Sequence, residues 1–398
     1  MIVLSGADLV LPAGIHRAGT LVIDGERIVD VGSSAVATGG SGAVDLRDHI
    51  VLPGFTDVHV HGLEGLDSLD GGDVVAEIAS RLPKFGVTSF CPTTVACSPD
   101  ALRSVLQQVA ALRKGPPGTG STRVLPAHLE SNFINPEYRG AQPAGCLRLP
   151  PSHARSARHD HAFDGHDILD EIEDGGESVG IVTLAPELDG ALDLIRRLVS
   201  SGRRVSLGHS GATLAQAREA IDAGARHATH LFNRMPPLGH REPGLVGAIV
   251  TSTNVAAEII CDGVHVHRDM VRMAIEAKGA ARVMAITDGV AAAGLAEGST
   301  ASLGGRTIRV KNSAAYLEDG TLAGSVATMD RVFRFLVSDA GLSLNDAAQL
   351  CATTPAAELG LRDSGSIVKG GIADLVVMDR AFTVKRTYIG GRLAYSAM

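Results

Sequence analysis

The strongest constraint on the fold is a series of eight short apolar runs in the middle of the chain, several of them separated by helix-like segments. The runs are FTDVHVHG, VTSFCPTT, RVLPAHLES, GIVTLAPE, RRVSLGHSG, HATHLFN, VAAEIICDGVHV and RVMAITDGV. Helices are predicted over residues 73–85, 98–113, 189–201, 213–223 and 267–278. Strands that alternate with helices are typical of parallel βαβ units, so eight such strands predict a closed (β/α)8 barrel of the TIM type.

Both ends of the chain have a different character. Residues 1–12 and 20–31 have the pattern of strands, with a hairpin turn at Asp24-Gly25. Near the C terminus, IADLVVMD and TVKRTYIGGRLAY have the same pattern. We therefore predict an α/β protein in which both termini build one small β-sandwich domain. The predicted boundaries are residues 1–52 and 360–398 for this domain and 53–359 for the barrel.

Composition and charge exclude several classes of protein. Hydrophobic residues make up 45% of the 398 residues and charged residues 20%, which is typical of a chain with a large folded core. The formal net charge of −8 and the lack of a basic stripe argue against a nucleic-acid partner. No membrane span is expected, because polar residues interrupt the apolar stretch around 245–261.

The cysteines and the N terminus predict a cytoplasmic protein. The five cysteines are odd in number and form no Cys-x-x-Cys pair, so reduced thiols are expected. The first residues, MIVLSGADLVLPAG, lack the basic and long apolar regions of a secretory signal.

Side chains that can bind a metal or transfer a proton lie at the C-terminal ends of six of the apolar runs. They are His59 with His61, Glu130, His209, His230, Asp262 with His265, and Asp288. In a barrel of parallel strands these ends share one face, where the loops build the active site. A single histidine at such a position is more often structural, and a carboxylate there can cap a helix. Because independent structural roles would scatter these groups along the strands, metal binding is the better interpretation.

The ligand types restrict the metal. Imidazole and carboxylate groups suit Zn²⁺, Fe²⁺, Mn²⁺ or Co²⁺, with zinc as the first expectation. The set is larger than one tetrahedral zinc ion requires, so either two ions bind or one ion binds and the other groups handle protons. A metal can lower the pKa of water to about 7, and a nearby carboxylate can accept the proton and return it to a leaving group. We assign that carboxylate as Asp288.

Two segments interrupt the alternation of strands and helices. Residues 114–122 are predicted to form a turn-rich loop, and residues 144–165 form a long, basic loop of the kind that is often a lid or mobile. The second loop contains another His-x-His at 159–161, with His153 and His166 nearby. Since no strand precedes this motif, we expect solvated loop histidines there and no metal site.

The motifs resemble those of the amidohydrolase superfamily and, within it, the N-acetylglucosamine-6-phosphate deacetylase family. PGFTDVHVHG, HLESNFINPEYRGA, LGHSGAT, THLFNRMPPLGHREPG, DGVHV, ITDG and DGTLAGS follow in family order over nearly the whole chain. The resemblance implies hydrolysis of the acetamide of an N-acetylated amino sugar phosphate, most directly N-acetylglucosamine 6-phosphate to glucosamine 6-phosphate and acetate. It also implies a homodimer in which a substrate group sometimes reaches across the interface.

The resemblance implies roles for the metal ligands. Glu130, His209 and His230 match the residues that hold the principal ion. His59 and His61 match the ligands of a second ion, with Glu130 as the bridge. Some members of the family lack this pair and work with one ion, whereas both histidines are present here.

The resemblance also implies catalytic and substrate-binding roles. Asp288 matches the general base and acid, and His265 matches the histidine that contacts the sugar and helps to polarise the amide. Asn233 and Arg241 match a phosphate clamp, a role for which a guanidinium is chemically suited. The full set of candidate substrate-binding residues is Gln142, Asn233, Arg234, Arg241, Asp262, His265, Leu322, Ala323 and Gly324.

Four positions depart from the family pattern. Ser131 and Asn132 replace the Gly-Pro of HLEGP, Gln142 replaces a histidine, and Arg234 replaces a small residue. We expect none of the four to touch a metal ligand and all of them to lie where the family holds its substrate. Arg234 either adds a phosphate contact, fills the space of the 6-phosphate, or points to solvent.

These departures leave the substrate open. The alternatives are N-acetylgalactosamine 6-phosphate, another N-acyl sugar, and a cyclic amide. Cyclic-amide hydrolases of the superfamily often use a carboxylated lysine, and no lysine lies at the strand ends of this chain. A non-catalytic sugar-phosphate-binding homologue would be expected to lack a ligand or the general base, and here both are present.

Overall fold

The computed structural model describes residues 1–32, 43–115, 120–151 and 162–398. The N-terminal residues form β1 (Ile2–Leu11), β2 (Gly14–Asp24), β3 (Arg27–Gly32), β4 (Ala43–Asp45) and β5 (Ile50–Pro53). The predicted turn after Asp24 joins β2 to β3. β1 pairs antiparallel with β2 on one side and parallel with β4 and β5 on the other.

All eight predicted runs form strands of one parallel barrel. They are β6 (Phe55–Val60), β9 (Val87–Thr94), β11 (Ala127–Glu130), β12 (Val179–Leu184), β13 (Arg204–Leu207), β14 (His227–Ala228), β15 (Ala256–Ile260) and β16 (Val283–Ile286). They pair in chain order, and a parallel bridge between Val60 and Gly289 brings the last strand to the first. The short strands between them are β7 (Gly62–Leu63), β8 (Leu66–Asp67) and β10 (Arg123–Val124). The predicted fold class is confirmed.

Helices connect the strands on the outside of the barrel. They are α1 (Val74–Arg81), α2 (Pro99–Lys114), α3 (Gly165–Asp174), α4 (Ala191–Ser200), α5 (Leu214–Asp222), α6 (Gly244–Thr251), α7 (Arg268–Lys278), α8 (Met329–Ser338), α9 (Leu344–Ala348) and α10 (Thr354–Glu358). The five predicted helices correspond to α1, α2, α4, α5 and α7. The sequence analysis did not predict α3, α6, α8, α9 or α10. The helix α6 is apolar and mostly buried, so it shows no helical period. No helix among the described residues has the length and apolar character needed to cross a membrane.

An antiparallel sheet that the sequence analysis did not predict lies between β16 and α8. It consists of β17 (Thr300–Leu303), β18 (Arg306–Lys311), β19 (Ala314–Leu317) and β20 (Leu322–Ser325). Its buried residues, including Ile308 and Val310, pack with Val95 and Val290, which follow β9 and β16. The sheet therefore stands beside the mouth of the barrel. The alternation of buried and exposed residues in RTIRVK was the available signal.

The C-terminal strands continue the N-terminal sheet. β21 (Leu375–Met378), β22 (Val384–Ile389) and β23 (Arg392–Ser396) give the strand order β23-β22-β21-β5-β1-β2-β3. The backbone N–H of Ile28 donates to the Gly371 carbonyl, so the far edge of the sheet folds back toward β21. The exact boundaries 1–52, 53–359 and 360–398 stay a prediction.

Candidate metal centre and substrate pocket

Two groups of ligand atoms meet at the C-terminal ends of the barrel strands. In the first cluster, Glu130 Oε1 lies 2.7 Å from His209 Nε2 and 2.8 Å from His230 Nε2. In the second cluster, His59 Nε2 lies 3.1 Å from His61 Nε2, and Asp288 Oδ1 lies 3.3 Å from both nitrogens. The other oxygen of Glu130, Oε2, lies 3.5 Å from His61 Nε2. One carboxylate therefore faces both clusters.

These separations fit a metal centre. Ligands at 2.0–2.1 Å from a tetrahedral ion are separated from each other by about 3.3 Å. The ligand atoms of His59, His61 and Glu130 lie within 4.8 Å of one another, as do those of Glu130, His209 and His230. All five side chains are buried, and their imidazole and carboxylate groups are the donors that a divalent transition metal prefers. The clusters can hold a divalent ion.

The electrostatics of the clusters favour a cation. Burial alone would raise the pKa of Glu130, but the nearby His209 and His230 hold it well below its usual range. Burial opposes the charged form of His59, but the negative charges of Glu258 and Asp288 outweigh this and raise its pKa to about 10. Ionised carboxylates that are buried this deeply require a compensating positive charge. A divalent ion satisfies the same requirement as protonated histidines.

Three residues of the clusters have positive φ angles, a backbone conformation that residues other than glycine rarely adopt. His209, His230 and Asp288 have φ angles of 47°, 29° and 49°. Each follows its strand by two residues, at the point where the chain must turn while its side chain points inward. Such residues cost about 1–3 kcal/mol each and are concentrated at functional sites.

Hydrogen bonds orient the histidines. His209 Nδ1 donates to the Tyr138 carbonyl at 2.8 Å, which leaves Nε2 free for a ligand. His265 Nδ1 lies 2.7 Å from Asp262 Oδ2, and Asp262 Oδ1 accepts the backbone N–H of His265. Asp262 therefore orients the His265 ring and does not itself line the pocket.

A pocket of about 490 Å³ opens above the clusters. Of the predicted substrate-binding residues, it is lined by Gln142, Asn233, Arg234, His265, Leu322 and Gly324. Ala323, in β20, is buried in the core beneath the antiparallel sheet of β17 to β20, and Arg241 is exposed and does not line the pocket. The sequence analysis missed several lining residues, among them Glu137, Tyr138, Phe232 and Met235. Tyr138 and Glu137 lie in a short helical turn (Pro136–Tyr138), where no strand end marks them.

Two expectations about the positions that depart from the family pattern were wrong. Ser131 Oγ donates to the Thr183 carbonyl in β12, and Asn132 Nδ2 donates to the carbonyls of Cys97 and Cys146 in the connecting segments. Neither residue is among those that line the pocket. Gln142 does touch a metal-cluster residue, because its amide donates to Glu130 Oε2. Its Oε1 atom accepts the backbone N–H of Ala96 at 2.7 Å, which fixes the orientation of the amide.

A layer of buried polar residues beneath the clusters was also missed. Glu258 Oε1 lies 2.8 Å from His227 Nε2, and Glu258 Oε2 lies 2.9 Å from His59 Nδ1. His128 and Asp57 are buried beside them. Asp57 and His128 precede His59 and Glu130 by two residues, and the period of a strand places such pairs on one face. That alternation was the signal that could have identified them.

Part of the two predicted loops is outside the described residues. This applies to 116–119 in the first loop and to His153 and the His-x-His at 159–161 in the second. His166, which follows the second loop, lies in the first turn of α3, where Asp164 accepts its backbone N–H. The prediction of solvated histidines at 159–161 stays a prediction.

The fold and the site together define a class of protein. A (β/α)8 barrel with histidine and carboxylate clusters at the C-terminal ends of its strands is the arrangement of a metal-dependent hydrolase. The amidohydrolase family model matches residues 50–394, so the chain belongs to the amidohydrolase family. The protein is a metal-dependent amidohydrolase.

Relatives place the chain more narrowly. It is 40% identical over 364 residues to N-acetylglucosamine-6-phosphate deacetylase of Rattus norvegicus, covering 89% of this chain and 85% of that protein. It is 34% identical over 351 residues to the deacetylase of the same name from Bacillus subtilis (strain 168), covering 87% of this chain and 85% of that protein. The predicted resemblance to the N-acetylglucosamine-6-phosphate deacetylases is confirmed.

Solved structures agree. The N-acetylglucosamine-6-phosphate deacetylase from Thermotoga maritima has a TM-score of 0.85 and 30% identity, covering 99% of this chain and 100% of that chain. A variant of the Mycobacterium smegmatis deacetylase in complex with N-acetyl-D-glucosamine-6-phosphate has a TM-score of 0.88 and 32% identity, covering 99% of both chains.

Proposed function

We propose that this protein hydrolyses the acetamide of N-acetylglucosamine 6-phosphate to glucosamine 6-phosphate and acetate. The observation that carries the proposal is that both clusters of candidate metal ligands, together with Asp288, lie at the floor of one pocket. The relatives named above act on this sugar phosphate, which supports the same substrate here. Since Ser131 and Asn132 bond to backbone carbonyls and do not line the pocket, Gln142 and Arg234 are the two unusual positions that do line it.

The metal ligands follow from the two clusters. Glu130, His209 and His230 would hold the principal ion, and His59 and His61 a second ion, with Glu130 between them. We propose zinc, because nitrogen and oxygen donors at these separations suit it. A bound divalent ion supplies a Lewis acid, which polarises the acetamide carbonyl and lowers the pKa of water to about 7.

The protein's own residues handle the proton and the substrate. Burial would raise the pKa of Asp288, but His59, His61 and His230 lower it, so the carboxylate is ionised at neutral pH and can act as a base. Asp288 accepts the proton of the attacking water and delivers it to the amine nitrogen as the C–N bond breaks. His265, oriented by Asp262, contacts the sugar and helps to polarise the amide.

The test of this function is acetate release with zinc added. The substrates are N-acetylglucosamine 6-phosphate, its galacto epimer and both unphosphorylated sugars. We expect fast release from the gluco phosphate and at least about tenfold lower kcat/KM for the other three, since lost hydrogen bonds and charge pairs cost more than 1 kcal/mol each. Tight binding of the sugar phosphates with no acetate release from metal-loaded protein would overturn the proposal.

We further propose a homodimer in which Arg241 completes the pocket of the partner subunit. Asn233 and Arg234 line the pocket of their own chain, whereas Arg241 is exposed outside it. Arg234 and Arg241 are both exposed, and a guanidinium is suited to pair with a phosphate. The family resemblance, in which a substrate group crosses the interface, supports Arg241 for that role.

Mixed dimers test this arrangement. A heterodimer of one Arg241→Ala chain and one Asp288→Asn chain, isolated with two affinity tags, keeps one site with both Asp288 and the partner's Arg241. We expect about half of the wild-type kcat per dimer at an unchanged KM, since one of two symmetric sites is intact. The matched control replaces Arg241→Ala with Arg234→Ala, whose heterodimer should stay impaired because Arg234 lines its own pocket. A monomer in light scattering, or no recovery with Arg241→Ala, would contradict the proposal.

We also propose a cytoplasmic location. All five cysteines are unpaired, and four of them are buried. Buried free thiols in a chain of this size are typical of a reducing compartment.

A further inference from the structure

We propose that Glu258 is a positioning residue that aims His59 at the second metal ion, an inference that rests on the metal sites proposed above. Glu258 lies in β15 and is 0% exposed, inside the barrel and beneath the clusters. Its Oε2 atom accepts the Nδ1 hydrogen of His59 at 2.9 Å. Because Nδ1 is engaged by Glu258, Nε2 is the ring nitrogen of His59 that remains to bind an ion, and it lies 3.1 Å from His61 Nε2 and 3.3 Å from Asp288 Oδ1.

This contact has a counterpart in the first cluster. There the Tyr138 carbonyl accepts the Nδ1 hydrogen of His209 at 2.8 Å. The Nδ1 atoms of His61 and His230 have no hydrogen-bond partner within the described part of the chain. Each cluster therefore contains one histidine whose ring is fixed by an acceptor, and in the second cluster that acceptor is the side-chain carboxylate of Glu258. A carboxylate in this place fixes the ring and makes the imidazole a stronger ligand.

The carboxylate of Glu258 makes two further hydrogen bonds inside the barrel. Oε1 lies 2.8 Å from His227 Nε2, and the backbone N–H of His230 donates to Oε2 at 3.3 Å. Glu258 is not among the residues that line the pocket. It has no route to the substrate and acts only through the ligands that it holds.

A third metal site is the competing interpretation. The ligand atoms of His59, His128 and Glu258 also lie within 4.8 Å of one another. However, His128 Nδ1 lies 3.0 Å from the Val58 carbonyl and must donate to it, while His128 Nε2 lies 2.8 Å from the Thr183 hydroxyl. Both ring nitrogens are engaged, so His128 has no lone pair to offer an ion, and the carboxylate serves His59 instead.

The experiment is a titration of the metal-free protein with Zn²⁺ in competition with a chromophoric chelator. The wild type is expected to take up two ions. Glu258→Gln should lower the affinity for the second ion by about 10–100-fold and leave the first ion unchanged, because the amide cannot hold the His59 ring as a carboxylate does. Glu171→Gln is the matched control: this buried carboxylate of α3 pairs with Arg103 outside the site, so both ions should bind as in the wild type.

A double variant separates a positioning role from general damage. If Glu258 acts through His59, then Glu258→Gln should cause no further change in a His59→Ala background. Where Glu258→Gln does not fold, Glu258→Asp keeps the charge, withdraws it from His59, and should show the same selective loss. Equal weakening of both ions, or no weakening, would overturn the proposal.

The proposal and the deacetylase function can fail independently. A wild type that binds one ion and still releases acetate would leave the function standing and overturn the role of Glu258. Selective loss of the second ion in Glu258→Gln, in a protein that releases no acetate, would support Glu258 and contradict the proposed function.

Discussion

Asp288→Asn is expected to abolish turnover while the principal metal ion stays bound. The amide cannot accept the proton of the attacking water or return it to the leaving amine. General acid–base catalysis of this kind contributes about 10²–10⁴-fold to the reaction rate. Glu130, His209 and His230 do not depend on Asp288 for their mutual contacts. The measurements are kcat on N-acetylglucosamine 6-phosphate and metal content by elemental analysis.

Asp330→Asn is the control for a general effect of replacing an aspartate by asparagine. Asp330 bonds to the Thr328 hydroxyl at the start of α8 and does not line the pocket, so Asp330→Asn should keep both activity and metal. Wild-type turnover by Asp288→Asn would remove Asp288 from the mechanism. Loss of the principal ion from that variant would instead mean that Asp288 holds metal rather than protons.

Glu130→Gln is expected to have the broadest effect, because Glu130 is the only residue that faces both clusters with separate oxygens among the residues described. The amide keeps one weaker acceptor and turns an NH₂ group toward the other cluster. We expect both ions to be bound more weakly and kcat to fall by at least about 10³-fold, since a Lewis acid supplies several kcal/mol of stabilisation. Zinc titration and kcat at saturating zinc measure the two effects.

Glu137→Gln is the control for this variant. Glu137 lines the same pocket but belongs to neither cluster, so zinc binding should be unchanged. Comparison with Glu258→Gln adds a second contrast, since that variant should weaken one ion only. Normal zinc uptake and turnover by Glu130→Gln would show that the clusters are not the metal centre.

The barrel and the ligands were predictable because both depend on local patterns. A buried parallel strand is a short apolar run, and the polar residue that ends it lies on the face where barrel loops build a site. His59, Glu130 and His209 could be found in this way although they are far apart in the chain. Glu258 could not, because a single carboxylate inside AAEII looks like an interruption of the run until its partners are known.

The loops were less predictable for a physical reason. A loop side chain takes its direction from φ and ψ angles that no period encodes. Asn132 and Gln142 illustrate this, since both follow β11, yet one bonds to loop carbonyls and the other bonds to Glu130. Arg241 has the motif of a phosphate clamp but lies outside the pocket of its own chain.

By itself, the sequence determined the eight strands, the family and the identity of the groups that can hold a metal. Tertiary structure decided which atoms meet: it gave one oxygen of Glu130 to each cluster and placed Glu258 behind His59. The reason is that apolar periods and motifs are properties of neighbours along the chain. The contact between Glu258 and His59 joins residues 199 positions apart and exists only once the barrel has closed.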